Sequence, residues 1–332
     1  MPTTTKHSTP LAALHFLAFL ARLPFFLAYA ALYLLVLHNV PLPAVLRKAS
    51  LWTLMSIPFI WWGDLRVDGQ ARGHVHKSRV PNGRCIIVAN YTSPIDALYL
   101  ATVFDPIFTI SYPDTRKVRQ VGLLRAIAHA LSSTQFEHHP SSAEAEGDSD
   151  DDDDGSLTTL SQIISRNPKR TIVVFPEAAT TNGKGVLPLT PSILDAPETV
   201  PIYPVSIRYT PPEVTTPVTG PAAWPAFLYN LLSQFTICIR VRVADKVFNG
   251  TQSNKVNGVG NNGGQSIFGG SERDGGLRNR DVAVVAGGSL SREEQVFLDQ
   301  MGDTLARLGR SKRVGLTLQD KEAFVAAWKH KR

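Results

Sequence analysis

The sequence has little cysteine: only Cys85 and Cys238 occur among its 332 residues. Neither stands in a Cys-x-x-Cys pair or at a Cys/His spacing typical of zinc ligands, so the sequence predicts no metal site. So few cysteines in a long chain fit a reducing compartment, which predicts a domain that faces the cytosol.

The sequence also lacks a Gly-rich phosphate loop and any recognisable RNA-binding motif. Its formal net charge is nevertheless +6, and the segment Glu144–Asp154 holds eight of the acidic residues, so the remainder is strongly basic. A basic body suits an anionic partner: nucleic acid, a phospholipid surface or a phosphorylated substrate. Because the basic residues are dispersed and the aromatic residues cluster in an apolar N-terminus, we predict no nucleic-acid partner and expect a phospholipid membrane.

The apolar N-terminus is the clearest membrane signal. Leu11–Leu37 is interrupted only by His15, Arg22 and Pro24, and it is longer than the roughly 20 residues needed to cross a bilayer. A second apolar stretch, Leu51–Trp62, is short for a span and ends in two tryptophans, which suit the headgroup region. Two interpretations stay open: a transmembrane helix followed by an interfacial segment, or a helical hairpin that dips into one leaflet. A signal peptide is disfavoured because the apolar run is long and no cleavage site follows it.

From Arg84 onward the pattern changes to alternating strands and helices. Short apolar runs predict buried strands, and segments with helical spacing predict helices between them. We therefore predict an α/β fold with a mostly buried central sheet flanked by helices. The predicted strands are Cys85–Ala89, Phe108–Ser111, Thr171–Phe175, Val200–Tyr209 and Ile237–Val243. The predicted helices are Pro94–Val103, Val118–Leu131, Leu157–Ser165, one beginning at a capping box of Ser291 and Glu294, and Leu318–Trp328.

Composition divides the chain into four parts. The predicted parts are an N-terminal membrane anchor (1–63), an α/β domain (64–248) with an acidic insertion at 137–155, a Gly/Asn-rich segment (249–289) and C-terminal helices (290–332). The insertion and the Gly/Asn-rich segment are too polar to bury apolar area, so we predict that both are disordered.

Two of the predicted strands lead into unusual polar turns. The first turn is Asn90–Asp96, and the second follows Phe175 and runs as far as Gly185. Ligand sites in α/β sheets lie outside the carboxyl ends of the strands, and helix N-termini there favour phosphate. The sequence therefore predicts a site between these two turns.

These turns resemble two motifs of the glycerolipid acyltransferase superfamily, the PlsC-like lysophosphatidic acid acyltransferases. The first family motif has the form Asn-His-x-x-x-x-Asp and is similar to Asn90–Asp96, with Tyr91 at the histidine position. The second has the form Phe-Pro-Glu-Gly-Thr and is similar to Phe175–Ala179. A further motif, Val-Pro-hydrophobic-x-Pro-Val, is similar to Val200–Val205. The resemblance extends over about Arg84 to Tyr209, and the stretch after Glu177 resembles fungal members of the family.

The resemblance implies an enzyme that transfers an acyl group from acyl-CoA to lysophosphatidic acid and so produces phosphatidic acid. It implies no bound cofactor, because acyl-CoA is a substrate. It also implies that the protein is located at the endoplasmic reticulum membrane and on lipid droplets. In the family, the motif histidine is the base, the aspartate orients it, and the glutamate holds the acceptor. Carried over, the catalytic positions are Tyr91 and Asp96. The substrate-binding positions are Glu177, Asn90, Ser93, Thr180, Thr181, Asn182, Gly183, Lys184 and Arg125.

Departures from the family pattern support a second hypothesis. A phenol has a reference pKa near 10, so Tyr91 is a poor base at pH 7 unless its pKa is lowered. Two alternatives for the base remain: Asp96 itself, or a histidine from elsewhere in the chain, such as His138 or His139. Ala178 and Ala179 replace the family Gly and Thr, and alanine adopts positive φ only at a cost. Taken together, these changes favour a catalytically inactive lipid-binding or scaffold protein as the alternative function.

Overall fold

A computed structural model describes residues 9–37, 40, 43–70, 79–113, 115–131, 157–218, 222–251 and 290–330. The predicted acidic insertion, with His138 and His139, lies outside the described residues, and so does nearly all of the predicted Gly/Asn-rich segment.

The strands are β1 (Ile60–Val67), β2 (Cys85–Ala89), β3 (Ile107–Ser111), β4 (Val118–Val121), β5 (Leu157–Thr158), β6 (Thr171–Phe175), β7 (Gly185–Val186), β8 (Ile202–Thr210), β9 (Ile237–Val243) and β10 (Lys312–Arg313). The helices are α1 (Thr9–Leu32), α2 (Ala44–Ser56), α3 (Pro94–Phe104), α4 (Leu123–Leu131), α5 (Leu160–Arg166), α6 (Ala223–Ser233), α7 (Arg292–Gly309) and α8 (Leu318–His330).

Eight strands form the central sheet in the order β1-β9-β8-β2-β6-β3-β4-β5. The middle of the sheet is parallel: β2 pairs in parallel with β6 and β8, and β6 pairs in parallel with β3. Each of the three strands β2, β6 and β3 is buried along its whole length, because helices cover both faces there. The predicted α/β fold with a mostly buried central sheet is therefore confirmed.

The two faces of the sheet carry separate cores. Along β2, the side chains of Ile87 and Ala89 join a cluster beneath α2, α3, α4 and α6, whereas Ile86 and Val88 join a cluster beneath α5 and α7. Since successive side chains of a strand point to opposite faces, one apolar strand serves both cores. The parallel strands bring their carboxyl ends to one edge, where the two polar turns lie.

The N-terminal helix packs against the α/β domain instead of standing apart from it. Nδ1 of His15 lies 2.7 Å from the carbonyl oxygen of Ser233, and Arg22 donates to the carbonyl oxygens of Leu232 and Gln234 at the end of α6. Most other side chains of α1 are exposed and apolar. Among the described residues, only the helical stretch Pro10–Leu37 is long and apolar enough to cross a membrane.

The second apolar stretch differs from its prediction. Leu51–Ser56 is the end of α2, but Ile60 and the two tryptophans belong to β1, which pairs in parallel with β9. β1 also crosses the predicted boundary between residues 63 and 64, so the sheet begins before that boundary. Tryptophans are common at membrane interfaces and also in strands. Here the pairing of β1 with β9 places the two tryptophans in a strand.

Two predicted helices were wrong at their N-terminal ends. Val118–Val121 is the strand β4, antiparallel to β3, and α4 begins only at Leu123. Leu157 and Thr158 form the short strand β5 beside β4, and α5 begins at Leu160 after a capping box of Thr159 and Gln162. In both places, backbone pairing with a strand distant in sequence outweighs the local helical pattern.

The C-terminal segment returns to the second polar turn. The predicted capping box is confirmed: Ser291 accepts a hydrogen bond from the Glu294 amide, and Glu294 accepts one from the Ser291 amide. After α7, strand β10 pairs in parallel with β7, which follows the turn that contains Glu177. Helix α8 thereby lies beside that turn.

Candidate active site

The turn after β2 is fixed by its own side chains. Asn90 donates to the carbonyl oxygen of Ile207 over 3.0 Å and accepts from its amide over 2.7 Å, which ties the turn to β8. Ser93 caps α3 by accepting from the Ile95 amide, and its hydroxyl donates to the carbonyl oxygen of Val214. These two predicted substrate-binding residues therefore hold the turn in place.

Asp96 is fully buried (0% exposed) and saturated with hydrogen bonds. Its Oδ2 accepts from the amides of Thr92 and Ser93 over 2.6 and 2.8 Å and from the Thr92 hydroxyl over 3.1 Å. Its Oδ1 accepts a hydrogen bond from the Tyr209 hydroxyl. Burial raises the pKa of Asp96 to about 6, and the four hydrogen bonds to the carboxylate oppose the rise.

Tyr91 points away from Asp96. Its hydroxyl donates to the carbonyl oxygen of Ala126 over 2.8 Å, and its ring stacks on Phe175 with the ring centres 4.3 Å apart. Burial, and then the charge of Asp96, raises the pKa of the phenol well above 10. Tyr91 is 2% exposed, so a phenolate at this position would be removed from water, which disfavours the charged form. This geometry opposes the hypothesis of a lowered pKa.

Glu177 joins the two turns. Its Oε1 accepts from the backbone amide of Tyr91 over 3.1 Å, and its Oε2 accepts from the amide of Leu187 over 3.2 Å. The side chain is 1% exposed. Burial raises its pKa to about 7, and the charge of Asp96 acts in the same direction, while the two amides and Lys321 oppose it. The two predicted carboxyl groups thus lie close enough for the charge of Asp96 to act on Glu177.

The second turn has an unusual backbone. Ala178 has φ +52°, a conformation that glycine adopts freely and alanine adopts at a cost of about 1–2 kcal/mol. Gly183 has φ +71°, and a Cβ there would lie 3.5 Å from the Thr92 methyl group. The alanine that replaces the family glycine therefore stands where a glycine is favoured.

The remaining predicted residues of this turn bind backbone. The amide of Thr181 donates to the Tyr91 carbonyl oxygen over 2.8 Å, and the Thr180 hydroxyl donates to the Ala130 carbonyl oxygen over 3.3 Å. Asn182 accepts from the amide of Lys184 over 3.1 Å. These contacts lock the second turn onto the first turn and onto α4.

The basic residue at the site is one that the sequence did not reveal. The Lys321 ammonium, on α8, donates to the carbonyl oxygen of Thr180 over 2.7 Å, across 141 positions of sequence. Burial lowers its pKa to about 8, and the charge of Glu177 opposes this. By contrast, the side chains of Lys184 and Arg125, the predicted phosphate ligands, are exposed. Tyr209 was missed as well, since nothing local marks the end of β8 as part of the site.

A histidine does lie near Tyr91. The rings of His129 and Tyr91 are nearly parallel, with their centres 6.3 Å apart. Both residues line a small cavity at the ends of β3 and β6, together with Thr109, Ile110, Ser111, Ala126, Phe175 and Ala178. Among the described residues, no group of three or more His, Cys, Asp or Glu side chains is placed to hold a metal ion.

Residues 72–208 match the family model described as Acyltransferase. This stretch is an acyltransferase-family domain. It contains both polar turns, together with Asp96 and Glu177. The acyltransferase domain spans β2 to most of β8, so the strands that carry the two turns belong to it.

Two proteins with known names are similar to this chain. A Schizosaccharomyces pombe protein named "Putative lysophosphatidic acid:oleoyl-CoA acyltransferase" is 26% identical over 207 residues, which are 61% of this chain and 63% of that protein. The chain thus aligns with less than two thirds of this relative's length. The crystal structure of the 1-acyl-sn-glycerophosphate (LPA) acyltransferase PlsC from Thermotoga maritima matches with 18% identity and a TM-score of 0.37, covering 73% of this chain and 89% of that chain.

Proposed function

We propose that the acyltransferase domain transfers an acyl group from acyl-CoA to the free hydroxyl of lysophosphatidic acid and releases phosphatidic acid and CoA. The observation that carries this proposal is the pair of buried carboxyl groups, Asp96 and Glu177, at the ends of neighbouring parallel strands of an acyltransferase-family domain. The relative's name and the basic residue Lys321 beside the second turn support the choice of a phosphorylated acceptor.

The proposed chemistry uses Asp96 as proton acceptor through Tyr209. The acceptor hydroxyl gives its proton to the Tyr209 oxygen while the Tyr209 proton moves to Oδ1 of Asp96, with which it already forms a hydrogen bond. The acceptor oxygen then forms a bond to the thioester carbonyl carbon, and the bond from that carbon to sulfur breaks. The proton returns along the same path to the CoA thiolate. A carboxylate with a pKa of about 6 is a stronger base than a free one, which suits this role.

Tyr91 has a positioning role in this proposal. Its backbone amide and carbonyl bind Glu177 and Thr181, and its phenol binds α4, so the residue as a whole holds three segments together. Glu177 likewise holds the first turn against Leu187. Lys321 supplies positive charge for the acceptor phosphate.

The protein acts at a phospholipid membrane in this proposal, at the endoplasmic reticulum and on lipid droplets, with the domain facing the cytosol. Of the two membrane arrangements, the contacts of α1 favour the hairpin in one leaflet. Because His15 and Arg22 bind the end of α6, α1 lies along the domain and offers its exposed apolar side chains to the lipid on its other side.

The test is an acyl-transfer assay on the full chain in detergent with oleoyl-CoA and lysophosphatidic acid, following thiol release and phosphatidic acid together. We expect turnover by the wild type, and losses of about 10²–10⁴-fold in Asp96→Asn and Tyr209→Phe. Lys169→Gln is the control, because it removes an exposed charge before β6, at the opposite end of that strand from Glu177. Absence of turnover by the wild type with several lysophospholipid acceptors overturns the proposal.

A second candidate function is that of an inactive lipid-binding or scaffold protein. The direction of the Tyr91 phenol favours it, because the position of the family base is occupied by a side chain that is committed to Ala126. Tyr91→His discriminates between the two functions. Activity that arises only in this variant supports the inactive function, whereas activity already present in the wild type excludes it.

A further inference from the structure

Five arginine side chains converge on the other face of the sheet. The pairing of β1, β9 and β8 places Arg66 opposite Arg242 and places Arg240 opposite Arg208. The fifth, Arg310, follows the end of α7 and lines the same two recesses as Arg240 and Arg242. We call this group the arginine face: Arg66, Arg208, Arg240, Arg242 and Arg310.

The arginine face has little compensating negative charge. Asp64 pairs with Arg66 over 3.1 Å, and Arg242 donates to the carbonyl oxygen of Leu308 over 3.3 Å. Within the part of the chain that the structure describes, Arg208, Arg240 and Arg310 form no ion pair. Burial lowers the pKa of Arg242, and the charges of Arg310, Arg66 and Arg208 lower it further. Like charges held this close attract an anion.

A buried hydroxyl lies beside these guanidinium groups. Ser206 is 2% exposed, and its Oγ has no hydrogen-bond partner among the described residues. Buried polar atoms are nearly always hydrogen-bonded, so an unpartnered hydroxyl at a recess indicates a ligand atom. Ser206 lines a recess of about 100 Å³, which adjoins a second recess of about 200 Å³ formed by four of the arginines and Asp64.

We propose that the arginine face and Ser206 form a binding site for the phosphate group of a small molecule. The guanidinium group presents its N–H donors in a planar fork that matches phosphate oxygens, and Ser206 supplies a further donor. Phosphate also carries enough negative charge to balance several arginines. A carboxylate carries only one negative charge and balances only one arginine. Asp64 already illustrates this, because its ion pair with Arg66 leaves the other four arginines without a carboxylate partner in the ranges that the structure describes.

The position in the fold favours a soluble ligand over a membrane surface. Ile239, Val241 and Val243 alternate with Arg240 and Arg242 along β9, and they belong to the core beneath α2 and α6. The arginines therefore point away from the face that carries the apolar N-terminal helices. Tyr209 also borders the smaller recess, but its side chain belongs to that core and its hydroxyl is bonded to Asp96. The phosphate site therefore lies on the opposite face of β8 from Asp96 and does not depend on the proposed reaction.

Isothermal titration calorimetry on the full chain in detergent tests the inference. The ligands are inorganic phosphate, glycerol 3-phosphate and adenosine 3′,5′-bisphosphate, which separate a free phosphate, a lipid headgroup and the nucleotide part of CoA. We expect at least one to bind, and binding to weaken by about tenfold or more in Arg240→Gln/Arg242→Gln. The control is Arg292→Gln, which removes an exposed charge from the opposite end of α7.

Ser206→Ala gives an independent readout. In this variant we expect weaker phosphate binding together with a higher melting temperature of the ligand-free protein, because an unpartnered buried hydroxyl is removed. Equal binding by wild type and the double arginine variant overturns the inference, as does the absence of binding by all three ligands at millimolar concentration. Binding only to vesicles that contain phosphatidic acid also overturns it, in favour of a membrane surface. None of these ligands reacts, so a failure here is separate from a failure of acyl transfer.

Discussion

The amide of Tyr91 donates to Oε1 of Glu177 over 3.1 Å, while the phenol of the same residue points away from that carboxyl group and binds Ala126. The backbone at this position thus joins the two halves of the candidate active site, and the side chain anchors them to α4. Replacing a histidine by a tyrosine here keeps the backbone contact and removes the proton acceptor. This separation allows the role of the side chain to be tested without disturbing the turn.

Tyr91→Phe tests whether the phenol takes part in catalysis. If Tyr91 only positions the turn, we expect turnover within about twofold of wild type and a loss of stability of about 1 kcal/mol from the missing hydrogen bond. A general base, by contrast, is worth about 10²–10⁴-fold in rate. The measurements are phosphatidic acid formation and urea unfolding in detergent, and a rate loss in that larger range contradicts the positioning role.

Ala178→Gly tests the strain in the second turn. With φ at +52°, we expect the glycine variant to be more stable by up to about 1 kcal/mol, since the relief of strain exceeds the extra entropy of the unfolded chain. Ala179→Gly is the matched control: Ala179 is equally buried but has no positive φ, so we expect it to lose about 0.5–1 kcal/mol. A loss of stability in Ala178→Gly would falsify this account.

Glu177 makes stability depend on pH. Its pKa is about 7 in the folded protein against an ordinary 4.5, so the folded state favours the protonated form. This contribution is fully present below pH 4.5 and is lost as the pH rises through 7, a change of the order of 3 kcal/mol. Asp96 acts in the same direction but is largely ionised above pH 6.

Glu177→Gln removes this dependence. Between pH 6 and 7.5, we expect the free energy of unfolding of the wild type to fall with pH and that of the variant to stay nearly level. Chemical unfolding at several pH values measures the slope directly. Identical slopes in the two proteins exclude a raised pKa at Glu177.

Lys321→Gln tests the basic residue on α8. Because the ammonium lies beside the second turn, we expect the KM for lysophosphatidic acid to rise about tenfold, with a smaller change in kcat. The wild-type KM should rise above pH 8, as Lys321 loses its proton, and the variant should not follow it. Lys169→Gln is the charge-matched control, and equal effects of the two substitutions exclude a specific role for Lys321.

Arg22→Leu tests the docking of α1. The substitution keeps the helix apolar but removes the hydrogen bonds to Leu232 and Gln234, so we expect a loss of about 2 kcal/mol and a lower melting temperature. Leu17→Ala, at a position that is 61% exposed, should have little effect in detergent. Unchanged stability of Arg22→Leu indicates that α1 leaves the domain, as a transmembrane helix does.

The sequence predicted the centre of the fold well. Cys85–Ala89 and Thr171–Phe175 are short apolar runs bounded by polar turns, and such runs have few alternatives to a strand buried on both faces. The strands at the margins escaped prediction. Val118–Val121 has polar residues between two valines, a pattern that fits a helix or a strand, and only its pairing with β3 decides.

The candidate site was predictable where its residues are local. Asn90, Asp96 and Glu177 follow predicted strands directly, and all of them lie at the expected edge of the sheet. Lys321 and Tyr209 were missed because their proximity to the site is created by the packing of α8 and the register of β8, neither of which leaves a local signal. Lys184 is the opposite case: it is close to Glu177 in sequence, but its side chain is exposed instead of packing at the site.

The docking of α1 on α6 has a consequence for biosynthesis. Arg22 and its acceptor at Leu232 are 210 residues apart, and β1 finds its parallel partner only in β9. During translation, the N-terminal helix therefore leaves the ribosome long before either surface against which it packs. An apolar helix without its protein partner partitions into lipid or is bound by chaperones. We therefore expect the N-terminal helix to be held by lipid or by a chaperone first, and the sheet to be completed only after β9 and α6 have been made.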